Sequence, residues 1–402
     1  MKSDEAKNKS NNSLLRDFNL HLIFSITSFA VMGVSSITPA FPLIIKHFNL
    51  TVEQIGYLIT SFTLPGILLT PLMGILADRY GRKKILIPSL VIFGTAGFLC
   101  SLQTTYENLL IMRFFQGVGA AALGTINITL LGDLYEGKER VKAVGYNASV
   151  LSISTASFPA IGGLLALFHW SFVFYLPLLV FPFALLIIAR LKTPRIEKDI
   201  SLNTYLGNVW KIVNSKKVFG LFLINIMIFI ILYGAYLSFL PILMESRFQS
   251  DSFVIGVTMA LMSVTTAICS SQLGRVRKAV SSQNLLYLSS IVYMLSLTIL
   301  AFALNWAALI LGVMLFGVAH GFFLPNIQSA LVGMAPISER AAFMSINSMV
   351  LRIGQTIGPV AASLFYINES LKPVFLLTAA IALLMVLIIK TMVGKLEDQK
   401  EY

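Results

Sequence analysis

Charge is scarce in this 402-residue chain: Asp, Glu, Lys and Arg together make 12% of it, where a soluble domain carries about 25%. With 56% hydrophobic residues and a mean hydropathy of +0.82, the shortfall excludes an ordinary soluble protein. Cysteine is nearly absent. Cys100 and Cys269 sit in separate apolar runs and give neither a disulfide framework nor metal-ligand spacing, so no metal site is expected. Acids are the scarcer charge, 18 against 30 bases. None of them stands deep in an apolar run: Glu53, Glu107, Glu245, Asp251 and Glu369 fall at one set of run ends and the others at the opposite set. No nucleophile–base pair or phosphate-binding loop supports an enzyme.

What is present is length of apolar sequence. Runs of roughly 20 residues suffice to cross a bilayer as helices, and twelve are expected, at 18–43, 52–76, 85–104, 108–131, 142–167, 171–191, 218–243, 253–273, 284–304, 307–332, 341–366 and 371–392. They are far longer than the ~10 residues of a barrel strand and do not alternate apolar with polar. The expected fold class is therefore all-α integral membrane, with twelve transmembrane helices. The net charge of +12 does not imply nucleic-acid binding, because its position is topological. Twenty-five bases fall in the N-terminal tail, in turns on one side and at the C-terminal end, whereas Lys46, Arg247 and Lys372 stand opposite. By the positive-inside rule both termini are expected in the cytoplasm, with the first helix retained.

The polar stretch 192–217 divides the chain near its middle, and an offset of 200 aligns Ile55-Gly56 with Ile255-Gly256, Gly117 with Gly317, Glu139-Arg140 with Glu339-Arg340, Asn147 with Asn347 and Pro159 with Pro359. Two pseudo-symmetric six-helix bundles, 1–191 and 218–402, joined by a cytoplasmic linker at 192–217, are expected. Parallel repeats of this kind place a binding site at mid-membrane and work by rocking of the halves. Within the linker, Pro194 and a Trp210-containing amphipathic portion form a tether or simply lie on the membrane surface.

Between the second and third helices stands Gly74-Ile-Leu-Ala-Asp78-Arg79-Tyr-Gly81-Arg82-Lys83-Lys84. Gly74 permits close helix approach, Asp78 can pair with Arg82, Gly81 permits a tight turn, and the basic cluster holds the loop in the cytoplasm. This element resembles the signature loop of the major facilitator superfamily. The resemblance implies a cytoplasmic latch that Asp133, at the end of the fourth helix, would join. Arg113-Phe-Phe-Gln116-Gly117-Val-Gly119-Ala-Ala resembles the fourth-helix element of that superfamily's 12-span drug:proton antiporters. Their arginine is associated with proton coupling; a structural hydrogen bond to nearby carbonyls is the other reading of Arg113. The fifth-helix element of those antiporters is altered here, with Ser154 and Phe158 where glycines are usual, while Pro159, Gly162 and Gly163 remain. The fuller version stands in the eleventh helix as Gly354-x-x-x-Gly358-Pro359. These small residues and prolines are expected to serve packing and gating.

The deep polar set is Arg113, Gln116, Asn127, Asn147, Asn225, His320, Asn326, Asn347, Arg352 and Gln355. A cavity built from it is neutral to positive. His320 is the candidate proton acceptor, or a neutral hydrogen-bonding residue; Tyr233 and Tyr236, with Phe322 and Phe323, form an aromatic wall or pack helix on helix. The expected function is proton-coupled efflux of drugs or amphiphilic small molecules by alternating access. Alternatives are export of one anionic, siderophore-like metabolite and import of a sugar or organic acid. No cofactor beyond the proton gradient is expected, and the partners are the small-molecule substrate, protons and membrane lipid. A monomer in a bacterial plasma membrane completes the expectation.

Overall fold

The computed structural model describes residues 14–191, 215–334 and 340–394. Its elements are α1 (Phe18–Phe48), α2 (Val52–Tyr80), α3 (Arg82–Leu102), α4 (Tyr106–Leu134), α5 (Gly137–Phe168), α6 (Trp170–Arg190), α7 (Lys216–Phe248), α8 (Ser252–Ser271), α9 (Ser282–Ala301), α10 (Trp306–Met334), α11 (Arg340–Ser363) and α12 (Lys372–Val393). Eleven are long and apolar enough to span a bilayer. The exception, α11, is of comparable length but carries Ser345, Asn347, Ser348, Arg352, Gln355 and Thr356, which lower its hydropathy. The expected linker, with Pro194 and Trp210, lies outside the described residues except for its last three positions.

Helices start where side chains satisfy the first free amides. Asp17, Thr105, Ser215, Asp251 and Ser281 each accept a hydrogen bond from a backbone N–H of the turn that follows. The turn from α2 to α3 passes through Gly81 at φ +103°, a conformation that a side chain would resist. Leu68, Ile128, Phe168 and Leu185 are 67–74% exposed, the apolar outer surface that a lipid-facing bundle requires.

The helices alternate in direction. At one end Tyr135 Oη donates to Asp17 Oδ2 (2.6 Å) and Asn326 Nδ2 donates to Ser282 O (2.9 Å). This end carries the Arg79–Lys84 turn and is called the basic end here. At the far end Tyr106 Oη donates to Gln54 O (2.5 Å) and Arg247 donates to Ala301 O and Ala303 O (both 3.1 Å). Within the first half α4 packs on α1, α2 and α3; within the second, α10 packs on α8 and α9. Between the halves the principal packing is α5 on α8 and α2 on α11.

Candidate functional site

The two crossings between halves repeat one another. Gly56 on α2 faces Pro359 on α11, where a β-carbon would come 3.0 Å from the proline Cβ. Gly256 on α8 meets the Pro159 carbonyl on α5 so closely that a β-carbon would overlap it. Both pairs obey the offset of 200. Gly163 similarly lies against Ser252 O, and Gly162 against Ser36 O on α1. Hydrogen bonds reinforce the crossings: Thr60 Oγ1 donates to Thr356 O (2.9 Å), Thr356 Oγ1 to Thr63 Oγ1 (2.9 Å) and Ser263 Oγ to Thr155 O (3.1 Å). These contacts run from the far end to mid-depth. On α11, Arg352 stands seven residues from Pro359, about 10 Å along the axis, and its stem passes over Gly66 of α2. Towards the basic end a β-carbon on Gly124 or Gly145 would meet nothing within 4 Å, and Val141 is 73% exposed.

The two membrane arginines have different surroundings. Arg113 is 1% exposed. Its Nε donates to Leu58 O (3.2 Å), one terminal nitrogen donates to Gln116 Oε1 (2.6 Å), and its guanidinium carbon lies 4.3 Å from the Phe62 ring centroid. The other terminal nitrogen is buried without a hydrogen-bond partner. Gly117, one turn along, brings α4 against Phe62 O. Arg113 is thus sealed between α2 and α4. Arg352 donates to Gln355 Oε1 (3.1 Å) and is only partly buried, at the meeting of the two halves. A π-helical stretch, Ile231–Phe239 on α7, carries Tyr233, which is near enough to Arg352 to interact electrostatically. The widened turn also seats Gly234 against Gly358 O, and Gly354 lies against Ile226 O, so α7 and α11 share a close seam.

At the basic end Arg82 is the centre of the charge network. It is 6% exposed, pairs with Asp78, and donates from Nε to Asp133 Oδ2 at 3.0 Å. Asp78 is half exposed and Asp133 mostly covered, so the α3–α4 arm is the buried one. Gly74 admits Thr125 of α4, with a β-carbon reaching 3.1 Å from its Cγ2. Arg79 turns outward, its guanidinium 5.8 Å from the Tyr80 ring centroid. Lys83 Nζ donates to Ile188 O (2.5 Å) at the C-terminal end of α6, where helix carbonyls attract cations.

Other residues expected around a cavity are placed elsewhere. His320 Nδ1 shares a 2.5 Å hydrogen bond with Tyr293 Oη on α9, inside the second half, with the Phe316 ring stacked beside it. Asn326 is fully buried and bonded to Ser282. Tyr236 is 1% exposed, stacks on Phe316 at 4.6 Å and donates to Met259 O (3.5 Å). Phe323 packs on Tyr293. In this structure His320, Tyr236, Asn326 and Phe323 lie in the interior of the second bundle, where their azimuth on the helix points them at neighbours in their own half.

Two polar clasps carry more than the sequence reading gave them. Asn127 donates to Ile23 O (3.2 Å) and to Thr27, Thr27 donates to Asn147 Oδ1 (2.5 Å), and Asn147 donates to Asn127 Oδ1 (3.2 Å), tying α1, α4 and α5. Asn225 donates to Asn347 Oδ1 and Asn347 to Gln328 Oε1, both 2.9 Å, tying α7, α10 and α11. The Asn147/Asn347 repeat was the available signal; Thr27 and Gln328 had none until the helices met.

A bundle of membrane-length helices in two halves, touching through repeat-related crossings with a partly buried arginine at one of them, defines a polytopic membrane transporter. The family model of the Major Facilitator Superfamily matches residues 23–305 and 221–401, and the chain belongs to that superfamily. The chain is 24% identical over 364 residues to the Bacillibactin exporter of Bacillus subtilis, covering 85% of this chain and 88% of that one. It is 23% identical to Multidrug resistance protein 1 of the same organism, over 92% and 95% of the two chains. Quinolone resistance protein NorA of Staphylococcus aureus is 27% identical over 37% of each chain. Among solved structures, a bacterial homologue of the human lysosomal transporter Spinster shares the fold with a TM-score of 0.81 at 15% identity, over 95% of this chain and 98% of that one.

Proposed function

We propose that the protein exports amphiphilic small molecules, drugs among them, across a bacterial plasma membrane in exchange for protons, by alternating access. The observation that carries this reading is that, among the described residues, the glycine–proline seats and side-chain hydrogen bonds that join α2 to α11 and α5 to α8 run from the far end to mid-depth, where partly exposed Arg352 stands. With the basic end in the cytoplasm, this is the loading state of an exporter. The lack of a deep carboxylate favours neutral or anionic cargo over a quaternary cation. Multidrug resistance protein 1, aligned over nearly its full length, supports broad efflux. Arg113, held without an acid, is the residue through which proton entry would be felt. Expression in an exporter-deficient bacterium should lower accumulation of several dyes and antibiotics, and a protonophore should restore it. Faster uptake would overturn the reading.

Export of one anionic metabolite is the second reading, favoured by the exposed side of Arg352 and by the Bacillibactin exporter alignment. Lowered accumulation of a single compound in the same assay would select it.

A further inference from the structure

Arg352 breaks the internal symmetry. Its repeat mate on α5 is Ser152, Gln355 matches Thr155, and Gly66, over which the arginine passes, matches Thr266. A cation, its amide partner and the glycine that makes room for them occur together at the α2–α11 crossing and at neither equivalent place in the α5–α8 crossing. The repeat does not require them.

The chemistry left over at this spot is one-sided. Arginine has only donors, so Gln355 must turn its carbonyl oxygen to Arg352, and its NH2 then faces away as a further donor. The ion pairs among the described residues involve Arg82 at the basic end, so no carboxylate neutralises Arg352. The contrast with Arg113 is instructive: that charge is walled in by a carbonyl, a glutamine and an aromatic face, whereas Arg352 is only partly buried where the two halves meet. A partly desolvated guanidinium without an acid is best completed by a planar anion, which it can grip through two parallel hydrogen bonds.

We propose that Arg352 and Gln355 form a carboxylate-binding subsite at the apex of the cavity, so that carboxylate-bearing amphiphiles are preferred cargo. This deepens the efflux reading and rests on its cavity. It assigns to cargo a charge that an acidic lipid headgroup would also satisfy.

The test compares naphthalene-2-carboxylate with naphthalene-2-carboxamide, measured by calorimetry on the full-length protein in phosphatidylcholine nanodiscs. The carboxylate should bind about tenfold or more tighter, the scale of a charge-assisted hydrogen bond. Arg352→Gln should remove the preference while the carboxamide still binds. Gln355→Glu, which places a carboxylate of the protein's own beside the arginine, should remove it too and serves as the second variant should the first fail to fold. Equal affinity of the two compounds, including no binding of either, overturns the proposal, as does a preference that survives both substitutions. Loss of the preference when half the lipid is phosphatidylglycerol would assign the site to headgroups and overturn it as well. Absence of dye efflux from cells with the preference intact would sink the export reading alone.

Discussion

The Gly256–Pro159 contact makes a graded prediction about the conformational equilibrium. A β-carbon on Gly256 would overlap the Pro159 carbonyl, and restoring an ordinary contact distance moves the two backbones apart by about 1 Å. Overpacking of this kind costs about 1–3 kcal/mol, and only in the conformation in which α5 and α8 touch at the far end. The helix propensity that alanine adds is present in either conformation and cancels. Gly256→Ala should therefore shift the balance about 5- to 150-fold toward the state with the far end parted. At Gly56 a β-carbon would be 3.0 Å from Pro359 Cβ, a milder intrusion, so Gly56→Ala should shift it by less than about tenfold. Gly124 has open space around it, and Gly124→Ala should leave the balance unchanged. Double electron–electron resonance reads the outcome, with spin labels at Leu102 and Leu304, exposed at the far end of the two halves, in a background with Cys100 and Cys269 replaced. A longer-distance population should grow in the order Gly124, Gly56, Gly256. An unchanged distribution in Gly256→Ala, or an equal change in Gly124→Ala, would refute the reasoning.

The basic-end network predicts an order of stabilities. Asp133 is the covered partner of buried Arg82 and Asp78 the half-exposed one, so Asp133→Asn should cost about 1.5–3 kcal/mol and Asp78→Asn about 1 kcal/mol or less; thermal unfolding in detergent giving the reverse order would contradict the geometry. His320 is bonded to Tyr293 inside the second half, so His320→Gln should leave the pH profile of transport in proteoliposomes unchanged, and a displaced midpoint would return this histidine to the proton path.

Much of the architecture was legible as a pattern in one dimension. Apolar runs of bilayer length gave the helices, although α11, the most polar of them, is an expected span that hydropathy of the helix does not support. The Asp78-Arg79-Tyr80-Gly81-Arg82 loop was readable because its parts are close in sequence: Asp78 and Arg82 stand four residues apart across the turn, and Gly81 supplies the turn itself. The offset of 200 announced Gly56, Gly256, Pro159 and Pro359, but not that each glycine would seat on the other half's proline. That pairing belongs to the crossing of α2 with α11 and of α5 with α8, which no local pattern encodes.

Depth was determined by the sequence and azimuth by the tertiary structure. Arg113, His320, Asn326 and Arg352 were all expected deep in apolar runs; all four are wholly or partly buried in the protein, but Asn326 sits towards the basic end, against Ser282 at the start of α9. Which of them meets the opening between the halves was decided only when the helices packed: Arg113 into Phe62, His320 onto Tyr293, Asn326 onto Ser282, and Arg352 at the crossing. The physical reason is that lipid and protein interior are equally apolar. A helix in water announces its buried face by contrast with its wet one; a helix in a membrane has apolar neighbours on every side, so its sequence tells how far into the bilayer a residue lies and leaves the direction in which it points to the fold.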